Sequence, residues 1–409
     1  MIRSRILLGL LTPLLVATQL YAGGFQLNEA GARAMAQAGA FAARASDASA
    51  IFFNPAGLGF QERGSVLAGV TLISPNNYFL GPLNSNTNTR SNMVGQLFTP
   101  INFYATTPVD DRLHIGIGVN NPYGLGTEWP QNWIGQYITL KVDLKTFYIT
   151  PTASYRLTDN LSVGVGFNYV LGSVALSRAV SVSSVQLPAT TIVSMDLSGS
   201  GVSFNLGLLY KPLPWLSVGA SYRSQTKMDA EGTAEFDPNY AALGFPAGDV
   251  SASLKLPATG FFGIAFKPLE NLDLEADYQY VGWSSYDQLV IDFKSNGSQS
   301  VSPKNYENTY ILRFGGEYRV GPFAIRGGYY YDHPPVKDEY VEPMLPDANR
   351  NGYNVGLGYR ISDNLVLDVS YLHITFKDRT VTNSIPETSL NGVYSSYADL
   401  FGFNIGYTF

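Results

Sequence analysis

The side chains best able to do chemistry are few. The chain holds three histidines, His114, His333 and His373, and no cysteine. A metal site needs several His, Cys or carboxylate ligands at compatible spacing, and none of the three histidines has such a partner. No phosphate loop, G-x-S-x-G or H-E-x-x-H motif is present. The carboxylates Asp273, Glu275 and Asp277 form a row that resembles an acid/base site. They alternate with Leu272, Leu274, Ala276, Tyr278 and Tyr280, so they read as one wet face of a strand. A Ser/His pair on a strand wall is the remaining catalytic option, and the many serines make such a pairing a matter of chance. The residues therefore point away from an enzyme, and no metal and no cofactor is expected.

Composition narrows the class. Among 409 residues the hydrophobic share is 45%, the charged share only 14%, and there are 27 Tyr and 23 Phe. Low charge with abundant Tyr, Phe and Gly, and no apolar run after residue 22 long enough for a spanning helix, suits membrane-crossing strands. The formal net charge of -6 argues against a nucleic-acid partner. At the start, Arg3 and Arg5 precede an apolar stretch over 6–16 broken by Pro13, and the small residue Ala22 precedes Gly23. This pattern predicts an export leader over 1–22 and a mature chain beginning at Gly23 or Gly24. A membrane anchor is the other reading, but the apolar stretch is too short to span.

From Gly64 onward the pattern has period two. Leu161, Val163, Val165, Phe167 and Tyr169 oppose Ser162, Gly164, Gly166 and Asn168, and Tyr353, Val355, Leu357 and Tyr359 oppose Asn354, Gly356, Gly358 and Arg360. An apolar face toward lipid and a polar face toward a lumen explains each set. Tight connections rich in Pro, Gly, Asp and Asn fall at 108–111, 158–160, 212–214, 268–271, 320–322 and 362–364. Long polar stretches lie between them, at 76–92, 125–138, 177–194, 230–249, 295–305, 333–350 and 379–395. Short turns at one end and long loops at the other predict an all-β fold, a 14-stranded antiparallel transmembrane β-barrel. The last strand alternates Phe401, Phe403, Ile405 and Tyr407 with polar and small residues and stops on Phe409.

One stretch breaks the pattern. Residues 25–58 read FQLNEAGARAMAQAGAFAARASDASAIFFNPAGL, rich in Ala and Gly and without alternation. Strand parity places it at the short-turn, periplasmic end. A barrel of this size has a water-wide interior unless something fills it, and this segment is the one candidate for a plug. The domain reading is a leader at 1–22, an N-terminal hatch at 23–63 and a transmembrane barrel at 64–409.

The opening Phe25-Gln26-Leu27-Asn28-Glu29, the Gly/Ala run and Asn54-Pro55-Ala56-Gly57-Leu58 resemble the hatch of the FadL/TodX family. The resemblance continues in Asn120-Asn121-Pro122-Tyr123-Gly124-Leu125 with Thr127-Glu128, and then to Phe409. The family comprises transporters of long-chain fatty acids and of aromatic or aliphatic hydrocarbons in the outer membrane of Gram-negative bacteria. The resemblance implies capture of a hydrophobic molecule at the extracellular loops, passage into a pocket beside the hatch, and lateral exit at a kink in the third strand. It implies a monomer whose partners are hydrophobic small molecules (or a detergent in their place), outer-membrane lipid and lipopolysaccharide.

On this resemblance the substrate-binding and gating candidates are Phe25, Asn54, Pro55, Ala56, Pro122, Tyr123, Gly124 and Arg178. Pro removes a ladder donor and Gly packs no side chain, so Pro122 and Gly124 weaken strand pairing. Ordinary strand termination is the bland account of both. Arg178 matches a basic residue near a fatty-acid carboxylate in the family, with a solvated loop-edge arginine as the alternative. A second basic position of the family is Glu307 here, and neither Lys304 nor Arg313 aligns well with it. That favours a neutral hydrocarbon. The stretch over 177–194 is shorter than the capture loop of fatty-acid-specific members. The alternative from another class is a structural or adhesive barrel with a fixed plug, which requires an unbroken strand ladder. An open porin is weaker still.

Overall fold

A computed structural model describes residues 23–83, 89–184, 187–237, 245–386 and 390–409. The expected leader lies outside these residues. The strands in chain order are β1 (Ser65–Gly81), β2 (Thr89–Asn92), β3 (Ile101–Pro108), β4 (Leu113–Asn120), β5 (Gly124–Glu128), β6 (Lys141–Thr158), β7 (Leu161–Ser184), β8 (Leu187–Leu213), β9 (Leu216–Arg223), β10 (Thr226–Asp237) and β11 (Gly248–Leu256). They continue with β12 (Thr259–Leu269), β13 (Leu272–Val281), β14 (Gln288–Phe293), β15 (Gln299–Pro303), β16 (Thr309–Val320), β17 (Phe323–Asp332), β18 (Arg350–Arg360), β19 (Leu365–Phe376), β20 (Arg379–Val381) and β21 (Gly392–Thr408).

Antiparallel pairing runs β1-β3-β4-β6-β7-β8-β9-β12-β13-β16-β17-β18-β19-β21, and β21 pairs back with β1 from Ser65↔Thr408 to Leu80↔Val393. The result is a closed barrel of 14 wall strands, as the turn count predicts. Closure removes both sheet edges, which a strand wall in hydrocarbon requires. The lipid face is the alternating set read from the sequence. Val165, Phe167, Tyr169, Phe204, Leu206, Val355, Phe401, Phe403 and Ile405 are all exposed on the outside.

The structure departs from expectation at the loop end. The stretch over 177–194 is no loop. β7 and β8 pair from Leu161↔Tyr210 to Ser184↔Leu187 and form a hairpin that outruns the barrel. β10, β11, β14 and β15 extend that sheet. Polar residues outnumber apolar ones there, so no lipid-facing alternation marked these strands. Their inner face is still apolar, with Val193, Met195, Leu197, Ala234, Val250 and Ile291 buried together.

The N-terminal segment threads the lumen. It enters at the turn end, where Phe409 donates its N–H to the Gly64 carbonyl (2.9 Å). It carries the helical turns α1 (Ala32–Met35) and α2 (Ala50–Phe53), then a 3₁₀ turn at Pro55–Phe60. Its first residues reach the loop end, where Gly24 donates to Asp347 at 3.0 Å, so the segment is not confined to the periplasmic side.

The wall is shaped and charged to receive it. A Cβ at Gly219 would stand 2.0 Å from the Ala42 carbonyl oxygen, and one at Gly315 2.3 Å from that of Gln37, so only glycine allows these approaches. Two of the three carboxylates of the β13 row, Glu275 and Asp277, are not wet. Asp277 accepts the N–H groups of Phe41 and Ala42 (3.0 Å each), and Glu275 accepts that of Ala43 (2.6 Å) and the Arg44 guanidinium (2.7 Å). Glu317 joins Arg33 (2.9 Å) to Arg326 (2.7 Å). The N–H groups of 41–43 lie between the two helical turns, and the barrel supplies their acceptors.

Asp277→Ala strands two buried N–H groups, at about 1–3 kcal/mol each. Amide exchange at Phe41 and Ala42 should accelerate strongly while the barrel keeps its resistance to cold SDS. Unchanged protection would mean that the carboxylate does not hold the segment.

Candidate functional site

The strand ladder is interrupted at one place on the third wall strand. β4 ends at Asn120, paired with Tyr148, and β5 resumes at Gly124, paired with Lys145. Residues 121–123 therefore span only positions 146 and 147 of β6, a local bulge. On the opposite side the break is wider. β3 begins at Ile101 and pairs with β4 from Asn102↔Asn120 onward, and β5 has β6 as its one strand partner among the described residues. Pro122 sits at the bend, where its missing N–H removes a ladder donor.

Three groups close this break. The N-terminal segment adds itself as a short strand: Leu27 N–H donates to the Pro122 carbonyl (2.8 Å), Gly124 N–H donates to the Phe25 carbonyl (3.1 Å), and Gln26 bridges Tyr123. Asn121 accepts the Ile101 N–H (2.8 Å) and donates to the Thr146 carbonyl (2.6 Å). The Thr146 hydroxyl takes the Tyr123 N–H (3.2 Å) and donates to the Tyr123 carbonyl (2.7 Å). Side chains fill the remaining space. Phe98 lies so close that a Cβ at Gly126 would fall 1.9 Å from its ring, and Leu27 lies 3.0 Å from the equivalent point on Gly124.

Behind the break lies a cavity of about 380 Å³. Phe25, Leu27, Tyr123, Leu125 and Leu144 line its inner side. Ile101 and Phe147, which also line it, are exposed on the outside of the barrel, so the cavity reaches the outer face of the wall. Just beyond Phe147 stands the exposed Lys145–Asp143 ion pair (2.7 Å), so the cavity emerges at the edge of the apolar belt. Phe25 is 5% exposed and packs edge-on against Trp283 (4.6 Å), Tyr286 (5.8 Å) and Tyr123 (6.2 Å) between ring centres. It also lines a second, smaller cavity of about 60 Å³ with Met228, Leu197, Leu254 and Ile291. Phe25 thus stands between the two cavities.

The loop over 333–349 covers the inner mouth. Trp129 donates its indole N–H to Pro343 (3.0 Å), Lys304 pairs with Glu342, and Arg379 pairs with Asp338 (2.7 Å). Leu345 and Pro346 from this loop line the larger cavity. Burial raises the Asp347 carboxyl in the same loop above its ordinary range, against the pull of the Arg350 guanidinium.

The sequence candidates separate into two groups. Phe25, Pro122, Tyr123 and Gly124 meet at the break. Asn54, Pro55 and Ala56 lie elsewhere, against β7 and β8. The Asn54 amide donates to the carbonyls of Ala42 (2.8 Å) and Leu208 (3.0 Å), and its oxygen accepts the Ala56 N–H (3.1 Å), capping the 3₁₀ turn. Arg178 is exposed on the extracellular hairpin and lines neither cavity. Glu307 pairs with Lys337 on the surface (3.1 Å), while Arg313 lines the larger cavity and bonds Gln279 (2.7 Å) and the Ala38 carbonyl (2.7 Å). The three histidines are not brought together. His114 bonds the Gln61 carbonyl (2.6 Å), and His373 pairs with Asp399 (2.8 Å) on the outer face. Sequence reading missed Leu27, Phe98, Asn121, Gly126 and Thr146. An Asn before Pro122 and a Gly two residues after Gly124 were the available signals, but their partners are distant in the chain.

Phe25→Ala removes a ring packed by three others, a loss of about 3–5 kcal/mol for a buried Phe. The Leu27 and Gly124 amides, which bridge the break, should then exchange at least about a hundredfold faster, as local opening of that size implies. Exchange at the wild-type rate would show that Phe25 does not hold the bridge.

Comparison with known proteins follows the same geometry. A curated long-chain fatty acid transport protein of Escherichia coli is 24% identical over 430 residues, covering 97% of this chain and 96% of its own. Outer membrane protein P1 of Haemophilus influenzae is 26% identical over 457 residues, with 97% of each chain covered. Among solved structures, a Pseudomonas aeruginosa FadL homologue superposes with a TM-score of 0.83 at 20% identity, over 94% of this chain and 99% of that one. The toluene transporter TodX of P. putida gives 0.71 at 16% identity, over 95% and 99%. These two show a shared fold. The model of the family described as outer membrane protein transport protein (OMPP1/FadL/TodX) matches residues 13–409, and the chain belongs to that family as a barrel of the bacterial outer membrane.

Proposed function

We propose that the protein carries hydrophobic small molecules across the outer membrane by lateral exit through the wall break, and that it is a transporter and not an enzyme. The observation that carries this reading is the cavity of about 380 Å³ that runs from Phe25 to the outer face of the barrel at the break in the third wall strand. A structural or adhesive barrel has no use for an interrupted ladder, which costs main-chain hydrogen bonds in an apolar medium. Capture begins among the extracellular strands, whose inner face is apolar and continuous with the smaller cavity through Leu197 and Ile291. Phe25 then moves, the two cavities join, and the molecule leaves between Phe98 and Gly126.

The substrate class follows from the charges around the cavity. Arg313 and Arg350, both lining it, already hold partners: Gln279 and Ala38 for the first, Asp347 for the second. Lys145, which also lines the cavity, is paired with Asp143. Glu29 adds an acid to the same lining. A carboxylate would enter without a free cation, and burying an unpaired charge is costly. The cavity therefore suits neutral aromatic or aliphatic hydrocarbons better than fatty acids. The leader over 1–22, the hatch at 23–63, Arg178 at the outer end of the capture face opposite Val193, contact with lipopolysaccharide and a monomeric state are part of the same reading.

Because the chain has no cysteine, Phe98→Cys with Gly126→Cys creates a unique thiol pair across the break. Joining it with a short cleavable cross-linker should cut toluene uptake by about tenfold or more, the equivalent of 1.4 kcal/mol in barrier, and cleavage should restore it. Uptake of a C18 fatty acid should stay near background throughout. Toluene uptake indifferent to the cross-link would remove the lateral route, and strong fatty-acid uptake would remove the neutral-substrate assignment.

A further inference from the structure

The start of the described chain meets a charge arrangement that transport does not explain. Asp332 closes β17 and Asp347 lies in the loop over 333–349, and both are buried. One guanidinium touches both. Arg350 bonds the Asp347 carboxylate at 2.7 Å, stands 3.9 Å from Asp332, and donates to the Gly24 carbonyl at 2.5 Å. Arg379, alongside, gives its N–H groups to Asp338 and to main-chain carbonyls of Val336 and Asp347, not to the carboxylate of Asp347. Two buried carboxylates thus share one directly bound cation, and beyond the Gly23 N–H that reaches the Asp332 carboxylate its Oδ1 has no further partner. Leaving such an acceptor unmet is costly.

What faces these carboxylates is the main chain of Gly23 and Gly24. A Cβ on residue 23 would stand 2.7 Å from both Asp332 carboxylate oxygens, so the backbone there lies directly against the acid. Gly24 donates its N–H to Asp347 at 3.0 Å, has φ +67°, and leaves no room for a Cβ, which would meet the Trp283 ring at 2.5 Å. Two successive glycines let main-chain nitrogens approach closer than any other residue type would allow.

We propose that Asp332 and Asp347 form a receptor for the chain's own terminal ammonium, created when residues 1–22 are removed. A chain that starts at Gly23 places its α-amine against Asp332, and one that starts at Gly24 places it against Asp347. Either way the missing cation is supplied, and the ion pair pins the residues immediately before Phe25. Capture of a terminal amine by convergent acceptors is a known mode of recognition. The inference rests on removal of the leader and not on the transport reading, so either can fail alone.

The test uses the full chain, matured in a Gram-negative host and purified from outer membranes. Intact mass gives the start, and an amine-selective acylating reagent near neutral pH, read by peptide mapping, gives the reactivity of the α-amine. The folded protein should start at Gly23 or Gly24, and its α-amine should label at least about tenfold more slowly than in the Asp332→Asn/Asp347→Asn double variant, a ratio worth 1.36 kcal/mol. Should the double variant lose its resistance to cold SDS, a chain with Ala-Ser inserted before Gly23 serves instead. It moves the ammonium away from both acids and should show the same gain in labelling. Equal labelling in the native chain and the variant, or a mature start at any other residue, overturns the proposal.

Discussion

The structure depends on one constraint: a strand wall facing hydrocarbon must satisfy every main-chain donor and acceptor. Closing the sheet does this along most of the wall, and the exception that matters for the cavity is at residues 121–123, where three residues of the third wall strand face two of the fourth. Each replacement partner at that point is specific. Thr146 turns its side chain to both main-chain groups of Tyr123, Asn121 reaches across to Ile101, and the N-terminal segment contributes the bonds at Phe25 and Leu27. The first two belong to the wall and are fixed. The third belongs to a segment with its own attachments, so the integrity of the wall depends on where that segment sits.

That segment is held by electrostatics more than by its own helicity. Its two α-helical turns are four residues each, far below what stands alone in water. Between them the N–H groups of Phe41, Ala42 and Ala43 go to Asp277 and Glu275, Arg33 of the first turn pairs with Glu317, Arg44 pairs with Glu275, and the Asn54 amide reaches the β8 main chain. A lumen-facing acid that would be solvated in an open pore is here a docking partner. The turn end of the segment is tied by this dense polar set. Its first residues are held by a separate set of bonds, Gly24 to Asp347 and Arg350 at the loop end and Phe25 and Leu27 at the wall break, so the two ends of the segment are fixed by different parts of the barrel.

Much of the barrel was legible because strand periodicity is local: Phe401, Phe403 and Ile405 announce their face without reference to any other residue. Pro122 marked the break for the same reason, since a missing donor is a property of one residue. The hairpin beyond the membrane was not legible, because Ser177–Ser194 pairing occurs where the outer face no longer meets lipid and the apolar residues face inward. Nor was the dryness of Glu275 and Asp277, since an acid on the lumen face has the same spacing whether water or a peptide N–H meets it. The contact of Phe98 with Gly126 joins two unremarkable positions through space, which a single sequence does not encode locally. The Asn54-Pro55-Ala56 motif was recognised by type, but its place on the wall, remote from the cavity, follows only from the fold.

On the proposed lateral route, movement of Phe25 and opening of the wall are one event. The carbonyl of Phe25 holds the Gly124 N–H, and the next residue but one donates to Pro122. A molecule that displaces the Phe25 ring must shift the backbone bearing it, and that shift breaks both bonds to the third wall strand. The freed N–H of Gly124 and carbonyl of Pro122 then border the path, and Leu27 leaves its contact with Gly124. A hydrocarbon gains by burying its surface where the ring had been, and the cost is two hydrogen bonds at the rim of the belt, where water and lipid headgroups can replace them. With the cavity empty, Phe25 returns because its pocket of Trp283, Tyr286 and Tyr123 is the better packed state. On that proposal the seal is set by competition between two apolar occupants for the same aromatic pocket.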